Sequence, residues 1–459
     1  MGPSGVPPSS RPDSPWHGAP AQPGVAAAGS PSITAPVEQA GAAVAAQTAP
    51  LPAVPGRLVS IDLLRGLDVV LMLFVNEMAG VSGAPAFLLH VPSGSDGMTL
   101  ADVVFPAFLF ITGMSIPLAL ERRLARGQTR PAIWRHVATR AVALVVMGVF
   151  MVNAEQGIAA GWLSPPAWNI LMTLALLAVW TERREGSSSG TTRAIRAAGL
   201  AALVALALVY RSTDIAGPVQ FTPRWWGILG LIGWAYLVAA SACLLVGRQP
   251  AALVGFFALL YCLYLADAGG GTAWLSGVRP YFAIGSVLGS HAAIAVSGAV
   301  LTSLLRQHDA AGRPRTLFVG TACAYGLALG AAGLLLHELR HLHEAFWISK
   351  PLATPAWGLL SAAATCAAWV LVFAAVDVRG WRRWPKGLLV AGQNALLAYL
   401  LAPLLLSLFA LGANAFGGSN PYHALGGSTV AGTVRSAVFA WAVVRLTGWL
   451  RGRGVVLRL

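Results

Sequence analysis

Residues 57–80 read RLVSIDLLRGLDVVLMLFVNEMAG and residues 97–120 read GMTLADVVFPAFLFITGMSIPLAL. Each stretch holds about 20 predominantly apolar residues, the length a helix needs to cross the hydrocarbon of a bilayer. Both also carry groups that lipid does not welcome. Asp62, Arg65, Asp68 and Asn76 lie in the first, Asp102 opens the second, and the connection between them contains FLLH, ending at His90. Ionisable side chains inside a membrane cost roughly 2.5–3.5 kcal/mol each on insertion scales, so a hairpin holding several is expected to be a site before it is a scaffold.

The whole chain supports a membrane reading. Of its 459 residues 56% are apolar and only 10% charged, with a mean hydropathy of +0.67. Soluble domains carry about 25% charged residues. Apolar runs of spanning length recur with short polar connections at about 61–81, 100–120, 139–157, 166–181, 195–211, 226–246, 250–266, 284–305, 316–336, 356–376, 387–411 and 430–450. The expected fold is therefore an all-α polytopic bundle of about twelve (10–12) transmembrane helices over residues 57–459. Residues 1–56 differ: they are rich in Pro, Ala, Gly and Ser, and their only charged groups are Arg11, Asp13 and Glu38. They lack the basic, apolar and cleavage-site order of a signal peptide and read as a disordered tail.

The net charge of +14 reports topology rather than nucleic-acid binding, because the basic residues are interspersed between spans and no nucleic-acid-reading motif accompanies them. With the tail inside, the arginine-bearing connections at 122–140, 183–196, 306–315 and 379–386 share one side. All but six of the 31 Lys and Arg then lie there; the exceptions are Arg211, Arg224, Arg279, Arg340, Lys350 and Arg435. By the positive-inside rule both termini are cytoplasmic and His90 faces outward. A bacterial cytoplasmic (inner) membrane is expected, since no targeting sequence precedes the first span. Cys243, Cys262, Cys323 and Cys366 lie inside apolar runs without CxxC spacing, so they read as packing residues rather than disulfide or zinc ligands.

On the first helix Asp62, Arg65 and Asp68 follow one another at i, i+3 spacing. They can form an ion-paired helix start capped by Ser60, or Arg65 can serve as a bidentate phosphate partner. Arg65 and Asn76 are eleven residues apart, about 16 Å along one face. His90 sits in a loop bounded by Glu77 and Asp96, and Asp102 could orient its imidazole or simply offset the helix dipole ahead of Pro106.

These residues carry a resemblance. The SIDLLRG start, Asn76, a loop histidine and ADVVFPAFLFITGMSI resemble the signature of the heparan-α-glucosaminide N-acetyltransferase family and its bacterial membrane relatives. The similarity continues through RWWGILGLIGWAYL at 224–237, ISKPLATPAW at 348–357 and GQNALLAYLL at 392–401. It implies transfer of acetyl from cytosolic acetyl-CoA, the co-substrate, to an amino sugar such as glucosamine or a glucosamine-containing glycan on the far side of the membrane, with no metal. His90 takes the place of the family's loop histidine, as base or as acetyl carrier, with Asp102 as its orienter and the Asn76 amide as an oxyanion donor. Asp62 and Arg65 fall on the donor side, with the arginine-rich segment at 122–140. The sequence departs from the family where a tryptophan commonly follows that histidine; here VPSGSDG intervenes.

Other features have bland and functional readings side by side. Lys350 is an interfacial snorkelling lysine or a contact for the acceptor; Trp225, Trp226 and Trp357 form an aromatic belt, although an indole face such as that of Trp226 also stacks on sugars. Asn394 bonds across helices or touches the cofactor, and His291 reads as a core histidine bonded to a neighbouring helix. The run HELRHLHE at 337–344 has the spacing of a zincin, but it lies at the end of a span without an evident third ligand, and it reads as a polar rim of the acceptor cleft. The expected partners are the bilayer and the amino-sugar acceptor, with a homodimer left open and no nucleic acid. An O-acyltransferase of a surface polysaccharide, or a secondary transporter of a sugar or anion, is the alternative reading.

Overall fold

The computed structural model describes residues 58–155, 163–182, 188–214, 217–223, 225, 227–247, 249–279, 282–415 and 420–457, so the tail expected at 1–56 lies outside the described residues. Leu58–Leu459 is a compact helical unit. In chain order its long helices are α1 (Val59–Met78), α2 (Leu100–Ala125), α3 (Arg130–Glu155), α4 (Pro165–Trp180), α5 (Ser189–Val209), α6 (Ile228–Val246), α7 (Pro250–Ala268) and α8 (His291–Ala310), the last entered through a π-helical turn, Gly285–Ser290. Then follow α9 (Arg315–His337), α10 (Pro355–Phe373), continued by the π turn Ala374–Val378, α11 (Lys386–Gln393), α12 (Ala395–Ala415), α13 (Pro421–Ala424) and α14 (Thr429–Gly452). Among the described residues, ten helices are long and apolar enough to cross a membrane. The charged α1 and the shorter α4 match the other two expected spans. The protein is a multi-pass, all-α membrane protein.

Three local departures from the sequence reading matter for the site. The run expected as one span at 387–411 is broken: α11 ends at Gln393, and Asn394 (φ −133°, ψ 43°) separates it from α12. The cause is a close crossing of α1 and α11. A β-carbon on Gly66 would stand 1.9 Å from the Leu388 carbonyl oxygen, and one on Gly392 would stand 2.0 Å from that of Asp62. Second, α3 starts at Arg130, so Arg130, Arg135 and Arg140 are helical rather than members of a loop. Third, Ser60 does not cap α1. The Asp377 carboxylate, on the π turn that ends α10, accepts from the backbone N–H groups of Val59 (3.3 Å) and Ser60 (3.1 Å). The Ser60 hydroxyl instead accepts from the Trp369 indole at 3.1 Å.

At the centre α2 packs on α1, α6, α8 and α10. It meets α8 backbone to backbone: a β-carbon on Gly113 would be 1.7 Å from the Ala295 carbonyl oxygen, and one on Gly298 would be 2.0 Å from that of Phe110. Overpacking a well-filled core costs about 1–3 kcal/mol, and a rigid backbone cannot move aside as a side chain can. Gly113→Val is therefore expected to destabilise the bundle by at least that amount, measured as a lowered thermal unfolding midpoint in detergent; an unchanged midpoint would contradict this crossing.

Candidate functional site

The first two helices and the segment before α10 bring their polar groups together at one end of the bundle. His90 Nδ1 lies 2.8 Å from Asp102 Oδ1, within hydrogen-bond distance; the histidine side chain is 45% exposed and the aspartate 2% exposed. The second carboxylate oxygen of Asp102 accepts from the backbone N–H of Val91 (3.2 Å), that of Thr99 (3.1 Å) and the Thr99 hydroxyl (3.1 Å). Thus one carboxylate ends the loop, starts α2 and fixes the imidazole. Because its partner is an acceptor, Nδ1 carries the proton and Nε2 keeps its lone pair.

Pro106 adds a support that sequence spacing encodes. It has no N–H to offer the carbonyl four residues earlier, which is that of Asp102. The Trp357 indole N–H fills the gap, donating to that carbonyl at 3.1 Å. Trp357 is fully buried, so the aromatic-belt reading does not hold for it. His291 packs beside both Phe105 and Trp357, with ring centroids 5.6 and 6.0 Å away, and its Nδ1 bonds the Ser286 carbonyl one turn earlier rather than a neighbouring helix.

Lys350 joins this pair from 260 residues away. Its Nζ is 3.2 Å from both His90 ring nitrogens and 3.9 Å from Asp102 Oδ1. Burial draws the ammonium pKa below the usual lysine value, while the Asp102 charge pulls it back up. The turn that presents Lys350 is strained: buried Ala353 has φ +51°, a conformation that L residues adopt at a cost of order 1–3 kcal/mol. The loop that departs from the family pattern is tied to the same segment, with Gly97 N–H donating to the Ile348 carbonyl and Ile348 N–H to Asp96, each at 2.8 Å.

The remaining candidates are spread out. Asn76 is exposed near the end of α1, and the hydrogen bonds described for His90 do not include it. Trp226 lies outside the described residues. The zincin spacing forms no helical pair: α9 stops at His337, residues 338–341 turn, and His341 Nδ1 meets the Glu338 carbonyl. His337 instead stands 3.7 Å from Asp96.

At the opposite end Arg65 bonds Asp62 (3.1 Å), the Gly392 carbonyl (3.3 Å) and the Ser115 hydroxyl. It lines a cavity of about 570 Å³ together with Arg123, His136, Arg140, Gly392 and Asn394. Arg140 stands over the Tyr236 ring at 4.8 Å, and Arg123 contacts His136 at 2.6 Å. No carboxylate is among the described lining residues. Asn394 is buried and bonds the C-terminal segment, donating to the Val455 carbonyl (3.3 Å) and accepting from Leu457 N–H (3.4 Å). Along α2 the lining runs from Arg123 to Phe105, eighteen residues and about 27 Å of helix. Phe105 is one turn from Asp102. Arg123 and the cavity's length could have been suspected from the i, i+3/i+4 spacing of the lining residues on α2, and Arg140 from the basic segment that continues into α3; the roles of Ser115 and the Gly392 carbonyl depend on helix crossings that the sequence does not spell out.

A family model described as a domain of unknown function, DUF5009, matches residues 57–276. Heparan-alpha-glucosaminide N-acetyltransferase of Homo sapiens is 35% identical over 141 residues, 31% of this chain and 19% of the human protein. The Mus musculus protein of the same name is 35% identical over 113 residues, 25% of this chain and 16% of the mouse protein. The chain thus aligns with under a fifth of the length of either, and over that stretch it is similar to the heparan-alpha-glucosaminide N-acetyltransferases.

Proposed function

We propose that the protein is a membrane acetyltransferase of the cytoplasmic membrane that takes acetyl from cytosolic acetyl-CoA and delivers it to the amine of glucosamine or a glucosamine-containing glycan on the other side. The observation that carries this reading is the cavity: a slot lined by three guanidiniums at one end that reaches to within one helical turn of the His90–Asp102 pair at the other. Guanidinium forks match phosphate oxygens, so Arg65, Arg123 and Arg140 suit the nucleotide end of CoA, and the apolar lining along α2 suits its arm. Sidedness follows from the charge asymmetry, which puts the arginine-rich end in the cytoplasm.

A thioester is already activated, so the reaction needs little machinery. The amine lone pair attacks the thioester carbonyl carbon, His90 Nε2 takes the amine's proton, and the thiolate leaves with the electrons of the C–S bond. Asp102 keeps the ring in the tautomer that leaves Nε2 unprotonated and offsets the charge the ring acquires. The same nitrogen serves if acetyl first passes onto His90.

The test is acetylation of glucosamine by the full chain in lipid nanodiscs. Charge-assisted hydrogen bonds are worth about 1.5–3 kcal/mol, so Arg65→Ala is expected to raise the KM for acetyl-CoA roughly 10- to 150-fold with kcat much less changed. A thermal midpoint near that of the unmodified chain establishes that the variant folds. An unchanged KM returns Arg65 to a purely structural role. The broken helix at Asn394 is a feature that transporters share; movement of a sugar or anion across vesicles without CoA release would favour that reading instead.

A further inference from the structure

The chain contains 29 arginines and only two lysines. One, Lys386, is exposed at the start of α11, across the length of α10 from the His90 site. The other, Lys350, places a primary amine 3.2 Å from the imidazole nitrogens. That is hydrogen-bond reach of the atom that would deprotonate an acceptor amine, so the side chain stands where the acceptor's own nitrogen must come. Arginine in this position would stay charged and could not act as a nucleophile; lysine can.

We propose that Lys350 is an internal acetyl acceptor: with the acceptor cleft empty, its Nζ takes the acetyl group handled at His90 and becomes Nε-acetyl-lysine, closing the site to further turnover. This rests on the acetyl-CoA-dependent reading above. In the step, the Nζ lone pair attacks the acetyl carbonyl carbon of the acyl thioester, a C–N bond forms and the C–S bond breaks. The proton leaving Nζ passes to His90 Nε2 and then to the thiolate, so one acetyl thioester and one amine give one amide and one thiol. If the acetyl group has first moved to His90, the C–N bond to the imidazole breaks in its place.

Two features favour the reaction. Burial lowers the lysine pKa, which raises the share of neutral, nucleophilic amine at a given pH. The side chain is also held, because the strained turn at Ala353 and the Gly97–Ile348 bonds fix the segment that carries it. The product would lose its positive charge, leaving Asp102 without the cationic neighbour that Lys350 supplies and filling the space beside Nε2.

The experiment is incubation of the full chain in nanodiscs with acetyl-CoA bearing a deuterated acetyl group, without amino sugar, followed by peptide mass spectrometry. Lys350 is expected to gain label at least tenfold faster than Lys386, which reports uncatalysed acetylation, and to be protected when glucosamine is supplied. His90→Ala and His90→Gln, checked for folding by thermal unfolding, are expected to bring Lys350 down to the rate of Lys386. Lys350 labelling no faster than Lys386 while glucosamine is acetylated would overturn the inference and leave the acetyltransferase reading standing. Fast labelling that persists in both His90 variants would overturn it too. Neither labelling nor release of CoA under any condition would remove both.

Discussion

His90→Ala is expected to abolish acetyl transfer, lowering kcat by roughly 10²- to 10⁴-fold, the usual contribution of a positioned base. Acetyl-CoA affinity should change little, because the arginines proposed to hold its nucleotide stand away from the His90 end of the cavity: Arg65 meets Ser115, about 15 Å of α2 beyond Phe105, and Arg123 lies about 27 Å beyond it. That split is informative. A variant that merely misfolds loses both properties, whereas one that loses only the base still binds donor and still shows CoA-dependent thermal stabilisation. His90 is 45% exposed, so its removal leaves no large void and folding should survive. Isothermal titration of CoA alongside the transfer assay separates the outcomes, and full turnover by His90→Ala would strike the histidine from the mechanism.

The bundle was legible because hydrocarbon thickness fixes the length of an apolar run, and among the described residues ten helices are long and apolar enough to cross, while the run at 387–411 is broken. The pairing of His90 with Asp102 was also within reach, since the two are only twelve residues apart and a carboxylate in the first turn of α2 can serve cap and imidazole together. What sequence spacing did not carry was long-range. Lys350 was read as an acceptor contact or an interfacial lysine, and only the fold sets it against an imidazole 260 residues away. The Asp377 cap on α1 spans more than 300 residues, and a local rule naturally chose Ser60 instead. The break at Asn394 hides inside a continuous apolar run because its cause, glycine against backbone, lies on a different helix. Trp357 shows a middle case: Pro106 announces a free carbonyl at Asp102, but not which donor will fill it.

The second large effect is expected for Asp102→Asn, and its size follows from counting donors. In the native site one oxygen faces His90 Nδ1 at 2.8 Å and the other faces three donors, from Val91 N–H, Thr99 N–H and the Thr99 hydroxyl, at 3.1–3.2 Å. Asparagine has a single acceptor oxygen. If it turns that oxygen to the loop, its NH₂ points at His90 and forces Nδ1 to become the acceptor; the ring proton then moves to Nε2, the atom that must accept from the amine. If it turns the oxygen to His90, the NH₂ meets the backbone donors of Val91 and Thr99, and buried donors left unpaired cost about 1–3 kcal/mol each. The first orientation loses catalysis and the second loses stability. Because the loop bonds also anchor the start of α2, the first should prevail: kcat falls by about 10²- to 10⁴-fold while the KM for acetyl-CoA holds and the thermal midpoint drops modestly. Retention of full kcat would show that the imidazole's tautomer is not set by this carboxylate. Collapse of the fold would show that Asp102 serves α2 first and His90 second. The two assignments are separable because His90→Ala removes the same hydrogen bond without touching the cap.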